Sequence, residues 1–234
     1  MIMFRFFGNH FWTKSMHKIV KTSDGSYTLI NEHLNEPYHS IHGALTESMH
    51  VFIENGLYYF KPFNRKLKVL EIGFGTGLNA VLLFQETNKH IDLEISYTGL
   101  EPFPVSRAIL NDIRLEGFNH QQFIHLHDTE KNKWNLLTPK FHFRLIEEKF
   151  ENYNGEELFD LIFYDAFGPS SQPELWDNEI LEKSVRIMEP GGVWVSYCSK
   201  GDVRRGLKEA GLIVERLPGP PFKRHVLRGI KQNG

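Results

Sequence analysis

Three glycines at alternating positions separate an apolar run from a segment with helical apolar spacing. Residues 67–72 are rich in branched side chains, and Gly73, Gly75 and Gly77 follow them. Glycine lets the backbone adopt positive φ and approach a ligand closely. The free N–H groups that begin the next helix attract polar and anionic groups. The stretch therefore predicts a strand, a tight turn and a helix that bind a nucleotide-like cofactor.

The spacing of these glycines differs from that of a dinucleotide-binding turn. Such turns carry Gly-x-Gly-x-x-Gly, but Leu78 stands at the third glycine position here. The form Glu-x-Gly-x-Gly-x-Gly resembles motif I of Rossmann-like methyltransferases, whose turn surrounds the methionine half of S-adenosyl-L-methionine (SAM). An ordinary strand-to-helix turn is the alternative. The resemblance implies SAM contacts from Glu71, Gly73, Phe74, Gly75, Thr76, Gly77 and Asn79.

Acidic residues follow the next two predicted strands. Glu101 comes after strand 95–100, where a carboxylate accepts hydrogen bonds from ribose hydroxyls in NAD and SAM folds alike. Glu147 and Glu148 follow strand 141–146, where methyltransferases usually carry an acid for the adenine amino group. Glu101 is the predicted ribose ligand. Either Glu147 or Glu148 could contact adenine, and solvated carboxylates at a strand end are the alternative.

A further buried strand, 159–164, delivers Asp165 to the sheet edge where open α/β folds bind ligands. We expect Asp165 to lie beside the cofactor, to accept a hydrogen bond from an amine nucleophile and to help remove its proton. Phe167 either stacks on a flat base or packs in the core. Pro169 and Pro173 stiffen the loop that follows, which favours accurate alignment of the reacting groups.

Regular alternation of strands and helices predicts an α/β fold of the Rossmann-like class I methyltransferase type in residues 61–234. Only residues 218–224 separate the last two strands, too few for a helical crossover, so the final strand must run antiparallel. We therefore predict a mostly parallel seven-stranded sheet with an antiparallel C-terminal hairpin. The predicted strands are 67–72, 95–100, 141–146, 159–164, 193–197, 212–217 and 225–230, and the helices are 77–86, 104–116, 173–189 and 201–210.

Residues 1–60 form a predicted extension that serves as a lid. Asp24-Gly25 between two apolar segments indicates a β-hairpin, and residues 44–55 carry a helical apolar stripe that ends at Gly56. Residues 1–15 are aromatic-rich without a clear period. We expect either that Met16 is the biological start or that this stretch packs on the domain as a flap.

Composition limits the class of protein. The chain of 234 residues, 41% of them apolar, can bury one sizeable core, and no apolar run approaches the roughly 18 residues of a membrane span. A single cysteine, Cys198, is typical of a reducing cytoplasm. His39 and His42 lack the partners of a recognisable metal site, so no metal is expected.

A net charge of only −2 means that any nucleic-acid contact needs a local basic patch. The C-terminal helix and hairpin concentrate positive side chains near the substrate edge of the sheet. These are predicted to contact nucleic-acid phosphates, with a solvated helix face as the alternative. The candidates are Arg204, Arg205, Lys208, Lys223, Arg224 and Arg228.

Six motifs in order resemble the methyltransferase domain of MnmC, a bifunctional tRNA-modifying enzyme. The resemblance covers residues 17–230 and implies that SAM methylates the aminomethyl nitrogen at C5 of the wobble uridine, in the anticodon stem-loop of tRNA. The fused FAD-dependent oxidase has no counterpart in this sequence, so other enzymes would supply the aminomethyl group. The motifs are HSIHGALTESMHVF, EIGFGTGLN, LEPFP, YDAFGPSSQPELW, GDVRRGLKEAGL and GPPFKRHVLRGI.

Two other classes of function stay open on the sequence. One is a different SAM-type transferase, such as an aminopropyltransferase or a small-molecule N-methyltransferase, and an aminopropyltransferase would carry a glycine-richer first turn. The other is a non-catalytic module that binds RNA or nucleotides, which would not need Asp165 beside a sulfonium site.

Overall fold

Two β-sheets organise the chain in the computed structural model, which describes residues 17–115 and 118–233. The small sheet is antiparallel and contains strands β1 (His17–Lys21), β2 (Tyr27–Asn31) and β3 (Glu36–Pro37). The large sheet has eight strands. These are β4 (Lys66–Ile72), β5 (Glu94–Leu100), β6 (Asn135–Thr138), β7 (Phe141–Ile146), β8 (Phe159–Tyr164), β9 (Met188–Ser196), β10 (Leu212–Pro218) and β11 (His225–Lys231).

The order of the large sheet is β10-β11-β9-β8-β4-β5-β7-β6. Strands β9, β8, β4, β5 and β7 run parallel, whereas β6 and the β10–β11 hairpin are joined by antiparallel pairing. The chain goes from β4 to β5 on one side and later to β8 on the other. This change of direction opens a crevice at the carboxyl ends of β4, β5 and β8, where open α/β sheets bind their ligands.

Helices cover both faces of the sheet. One face packs against the segment from α1 (Ala44–Ser48) through a π-helical stretch (Met49–Glu54) and a 3₁₀ turn (Leu57–Phe60), and against α2 (Leu78–Lys89). The other face packs against α5 (Asn178–Arg186) and α6 (Gly201–Glu209). Two short helices, α3 (Arg107–Asp112) and α4 (His120–His127), lie between β5 and β6 in sequence. No helix among the described residues is long and apolar enough to cross a membrane.

The apolar strands explain this arrangement. All six residues of β8 are buried, including Asp160, because the strand lies inside the sheet with helices on both faces. The Asp160 carboxylate accepts hydrogen bonds from Arg65 Nη1 at 2.5 Å and from the backbone N–H of Lys68 at 2.8 Å. Strand β7 lies one place from the sheet edge and alternates buried with partly buried residues.

The predicted fold class is confirmed, including the antiparallel end of the sheet. Strand β6 escaped prediction because a four-residue edge strand carries little periodic signal. Helix α4 was also missed. The predicted helix 104–116 is shorter, at Arg107–Asp112, and the predicted helix 173–189 is divided into a 3₁₀ turn (Pro173–Trp176) and α5. The expectation for residues 1–15 lies outside the described residues.

The N-terminal helical segment shares the core of the large sheet. Phe52 packs on Phe163 of β8 with ring centroids 4.9 Å apart. A Cβ atom at Gly56 would clash with the backbone oxygen of Phe52 and lie 3.1 Å from Val195 Cγ2 and 3.2 Å from Phe163 Cε1. Glycine is therefore required here by close packing. The division of the chain at residue 60 stays a prediction.

We predict that Gly56→Ala lowers the free energy of unfolding by about 3 kcal/mol, the upper end of overpacking costs. Gly211→Ala is the matched control, because Gly211 has φ of +96° but no atom within 4 Å of an added Cβ. The expected cost of Gly211→Ala is about 1 kcal/mol, from the strain of a left-handed backbone conformation alone. Urea unfolding with equal m-values measures both. Equal losses for the two variants would contradict close packing at Gly56.

Candidate active site

A cavity of about 340 Å³ opens at the carboxyl ends of β4, β5 and β8. Its volume lies within the range of small-molecule sites. The structure places seven of the predicted site residues in its wall, which are Gly73, Phe74, Gly75, Glu101, Glu148, Asp165 and Phe167. Glu71, Thr76, Gly77, Asn79 and Glu147 are not part of the wall. Tyr38 and His39 from the N-terminal segment complete it on one side.

The glycine turn takes the backbone conformation that the sequence predicts. Gly73, Gly75 and Gly77 have φ of 89°, 52° and 77°, in the region where glycine avoids the strain of other residues. A Cβ at Gly73 would lie 2.6 Å from the backbone oxygen of Asp165, and one at Gly75 would lie 2.9 Å from the Tyr38 ring. The turn therefore needs glycine for close approach as well as for φ.

Helix α4 supports the same turn from behind. His127 Nε2–H donates to the backbone oxygen of Thr76 at 3.0 Å, and its ring meets Phe74 edge-on at 5.5 Å. Burial lowers the pKa of His127 to about 4, so the ring is neutral at physiological pH and keeps one N–H for this bond. No local sequence pattern indicates this role of His127, because its partner is fifty-one residues away along the chain.

Asn79 joins the buried Glu71 carboxylate to the partly buried Asp165 carboxylate behind the turn. Its Nδ2 donates to Glu71 Oε1 at 2.6 Å and to Asp165 Oδ2 at 2.9 Å. Tyr97 donates its hydroxyl hydrogen to Glu71 Oε2. Glu71 is fully buried and Asn79 is 1% exposed, and their predicted contacts with the cofactor stay a prediction. Their hydrogen bonds fix the turn and the Asp165 side chain.

Burial raises the pKa of Glu71 to about 8, against the opposing effect of its hydrogen bonds from Tyr97 and Asn79. Burial also raises the pKa of Asp165 well above its usual range, and the negative charges of Glu71 and Glu47 raise it further. The free energy needed to ionise several neighbouring carboxylates is high at a site with little water. The raised pKa gives the Asp165 carboxylate a higher proton affinity than an ordinary aspartate, and its unprotonated form can act as a proton acceptor.

Glu101 lies across the cavity, where the predicted ribose ligand should be. Its Oε2 accepts from the Gly75 N–H at 2.9 Å and its Oε1 accepts from the Phe103 N–H at 3.0 Å. These two bonds fix the carboxylate beside the turn. Carboxylate oxygens accept more than one hydrogen bond each, so Glu101 keeps capacity for a ribose diol.

The two candidate adenine acids have different positions. Glu148 lines the cavity together with Lys149 and Phe150. Glu147 is not in the wall, and its backbone N–H donates to Asn132 Oδ1 at 3.2 Å. This placement favours Glu148 as the residue that faces adenine.

The loop after Asp165 is held from three directions. Trp176 Nε1–H donates to the backbone oxygen of Phe167 at 2.7 Å, and the Tyr197 hydroxyl donates to that of Ala166 at 2.9 Å. Glu36, in β3, accepts from the Gly168 N–H at 3.1 Å and from the Ser171 hydroxyl. Sequence reasoning missed Glu36, since nothing near it in the chain indicates a partner in the loop.

Phe167 lies in the cavity wall rather than in the core. Its ring meets that of Tyr38 edge-on, with centroids 4.9 Å apart. The Tyr38 hydroxyl in turn bonds His17 Nε2 at 2.9 Å. The N-terminal segment therefore contributes an aromatic wall to the side of the cavity that carries Asp165, which the sequence indicated only as a lid.

The comparisons with known proteins agree with this geometry. Residues 117–232 match the model of a family of S-adenosyl-L-methionine-dependent methyltransferases. The bifunctional protein MnmC of tRNA 5-methylaminomethyl-2-thiouridine biosynthesis in Leptospira interrogans is 28% identical over 227 residues, which cover 89% of this chain. The crystal structure of MnmC2 from Aquifex aeolicus has a TM-score of 0.79 at 25% identity, and the match covers 95% of this chain and 72% of that one.

The chain is thus similar to MnmC and to S-adenosyl-L-methionine-dependent methyltransferases. It spans only 34% of the length of the curated MnmC relative. Spermidine synthase from Thermotoga maritima shares the fold alone, with a TM-score of 0.55 at 13% identity over 93% of this chain and 69% of that one. The resemblance to MnmC that the six motifs indicated is confirmed.

The six candidate cations of the predicted basic surface are not equivalent. Lys223 forms an ion pair with Glu47, and its ammonium lies 4.1 Å from the centre of the Tyr197 ring. Arg228 pairs with Glu215 at 2.7 Å and lies over the Tyr59 ring. Both side chains are thus engaged within the protein, which argues against their predicted role as phosphate ligands.

The four other cations lie on α6 and on the hairpin loop. Arg205 is exposed and pairs with Asp202 within α6, a surface pair that water screens strongly. Lys208 lies in the last turn of α6, which runs away from the cavity edge. Arg224 is exposed in the loop between β10 and β11, at the cavity edge of the sheet. Arg224 therefore has the best position for a phosphate contact, with Arg204 near the start of α6.

We predict that Glu71 makes the protein less stable as pH rises from about 4.5 to 8. In this window the folded protein keeps the Glu71 proton and the unfolded chain loses it, so the free energy of unfolding falls with pH. Glu71→Gln removes this contribution, on the order of a few kcal/mol. Urea unfolding across the window measures it. The exposed Glu156→Gln is the control, and an unchanged pH slope in Glu71→Gln would refute the buried proton.

Proposed function

We propose that the chain is a methyltransferase that transfers the methyl group of SAM to the aminomethyl nitrogen at C5 of the wobble uridine of tRNA. The product is 5-methylaminomethyl-(2-thio)uridine. The observation that carries the proposal is the position of Asp165: Asn79 fixes its carboxylate in the wall of the cavity that the glycine turn and Glu101 share. The names of the MnmC relatives supply the acceptor.

The residues present fit SAM. The glycine turn leaves room where a Cβ at Gly75 would approach Tyr38, and Glu101 offers carboxylate oxygens for ribose hydroxyls. Glu148 can accept from the adenine amino group at the far side of the cavity. When bound, SAM supplies a methyl group whose bond to sulfur breaks, with the electron pair going to sulfur, as the new bond to nitrogen forms.

The chain's own contribution is orientation and proton transfer. Asp165 Oδ2 is occupied by Asn79, so we assign Oδ1 to the N–H of the substrate amine. That hydrogen bond would aim the nitrogen lone pair toward the cofactor side of the cavity. Because its pKa is raised, the Asp165 carboxylate is also a suitable acceptor for the proton that the methylated nitrogen loses.

Aromatic side chains suit a flat base. Phe167 and Tyr38 form a wall beside Asp165, and stacking on such rings contributes about 1–3 kcal/mol per base. The wobble base lies in a single-stranded loop, whose bases can leave the stack. Residues 17–60 would then close over the acceptor base, and enzymes that make the aminomethyl group would act before this one. We place the reaction in the cytoplasm with the tRNA pool.

We predict that Asp165→Asn lowers kcat for methylation of aminomethyl-tRNA by about 100-fold or more, the range for lost acid–base catalysis. Asparagine keeps the shape and the bond to Asn79, so SAM binding should survive. Transfer of label from SAM to tRNA from cells that lack the final methylation measures kcat. Asp92→Asn, exposed at the opposite sheet edge, is the control.

Two outcomes of this assay count against the proposal, and they differ. Wild-type protein that binds SAM but leaves aminomethyl-tRNA unlabelled would overturn the function. Full labelling by Asp165→Asn would instead remove Asp165 from the mechanism and leave the function standing.

We further predict that Arg224→Gln weakens tRNA binding and reduces the slope of log affinity against log salt by about 1. Arg228→Gln should leave the slope unchanged and lower stability, because Arg228 pairs with Glu215 and contacts Tyr59. Binding titrations at several salt concentrations measure both variants. A lower slope in Arg228→Gln but not in Arg224→Gln would reverse the assignment.

A further inference from the structure

Phe222 stands out on the surface of the described chain. Its ring is 78% exposed, and its backbone has φ of 72°, a conformation that bulky residues avoid. Exposing a large aromatic side chain gives up the free energy of its burial, and positive φ adds strain. Such strain persists only where the surroundings hold it, and it is enriched at functional sites.

The loop that presents Phe222 is stiff. Pro218, Pro220 and Pro221 fix three φ angles within it. The Gly219 N–H donates to the Arg224 backbone oxygen at 3.1 Å, and the Lys223 N–H donates to that of Pro220 at 3.0 Å. The ring is therefore held in place before any partner binds, which reduces the entropy lost on binding.

His42 covers one face of the Phe222 ring. The two rings are stacked, with centroids 4.3 Å apart and planes 25° apart. The high exposure of Phe222 leaves its opposite face open to solvent. An aromatic ring that is backed on one face and open on the other is suited to stack a flat ligand.

The two rings line a second, smaller cavity together with Glu47, and Lys223 links this region to the acceptor side of the site. Lys223, next in sequence, pairs with Glu47 and lies over Tyr197, whose hydroxyl bonds the loop after Asp165. The positive charge of Lys223 is close enough to act on the Asp165 carboxyl. The exposed Arg224 follows. An aromatic platform and a free cation thus lie on the side where the tRNA would enter.

We propose that Phe222, backed by His42, stacks a base of the tRNA anticodon loop that neighbours the wobble uridine, with Arg224 on the adjacent phosphate. The inference rests on the proposed function. An aromatic face beside a cation is how single-stranded RNA is bound without a deep pocket. Stacking a neighbour would help to hold the loop open while the target base occupies the cavity beside Asp165.

The test uses the full chain and an anticodon stem-loop that carries 5-aminomethyluridine, with 2-aminopurine at either nucleotide next to it. Stacking quenches 2-aminopurine fluorescence, so the probe reports the contact directly. Phe222→Leu removes the aromatic face, Phe222→Trp keeps it, and Ile91→Ala changes an apolar side chain that is 80% exposed before β5, at the opposite sheet edge.

We expect the wild type, Phe222→Trp and Ile91→Ala to quench one of the two probes and to bind the stem-loop with similar affinity. Phe222→Leu should not quench it and should bind about tenfold or more weakly, with SAM affinity and unfolding midpoint unchanged. Equal quenching and affinity in Phe222→Leu would overturn the proposal. Loss of SAM binding in both Phe222 variants would also overturn it, since the ring would then be structural.

Methyl transfer from labelled SAM to the same stem-loop, without the fluorescent base, separates this inference from the proposed function. If the wild type transfers the methyl group and Phe222→Leu has no effect on this transfer, only the proposed stacking contact is contradicted. If the wild type binds SAM but transfers no methyl group, the proposed function itself is contradicted.

Discussion

The site depends on the Asn79 side chain, whose amide hydrogens bond the buried Glu71 carboxylate and the partly buried Asp165 carboxylate at once. Glu71 ends the first central strand before the glycine turn, and Asp165 follows a neighbouring parallel strand. The bridge locks the helix that begins at the turn to both strand ends. Both carboxylates have raised pKa values, because burial and the charge of neighbouring carboxylates oppose their ionisation. The Asn79 amide opposes this rise by its hydrogen bonds, and it fixes the position of the group assigned to the substrate amine.

That bridge has a cost. The Asn79 Oδ1 atom is buried and finds no hydrogen-bond partner among the described residues, and an unsatisfied buried acceptor costs about 1–3 kcal/mol. Both amide hydrogens serve carboxylates, so the oxygen has to point elsewhere. Without the Asn79 side chain, the start of this helix would leave the Asp165 carboxylate without a fixed orientation.

The N-terminal segment completes the acceptor side by polar contacts. Glu36 bonds the loop after Asp165, Tyr38 meets Phe167, and Glu47 pairs with Lys223 of the hairpin loop. Chain segments more than a hundred residues apart therefore form one wall. The Glu47–Lys223 pair is partly shielded from water, with side chains 8% and 31% exposed, so it is a more durable link than the exposed Arg205–Asp202 pair.

Ion pairs within the protein distinguish the cations that stabilise the fold from the cations that can bind RNA. Lys223 and Arg228 stabilise the fold, whereas Arg224 extends from the loop at the cavity edge. A chain with a net charge of −2 has no general attraction for RNA. Any electrostatic recognition must come from a few side chains such as Arg224, and aromatic stacking has to supply part of the affinity.

The sequence by itself determined the parallel sheet, the glycine turn, the antiparallel end and the edge where Glu101 and Asp165 meet. These follow from local rules: apolar runs, glycine spacing and a connection too short for a helix. It did not determine which carboxylates touch a ligand. Glu71 and Glu101 both look like site acids in the sequence, but strand register buries one behind the turn and places the other in the cavity.

Only the tertiary structure placed Tyr38, Glu36 and His127 at or around the site, and only it showed that Lys223 and Arg228 form ion pairs within the protein. Each of these depends on a partner far away in the chain, so no local pattern encodes it. The spacing of residue types predicts the local backbone conformation, because that conformation depends on neighbours in the sequence. The burial and the ion pairs of a side chain determine its chemical role, and these depend on neighbours in space.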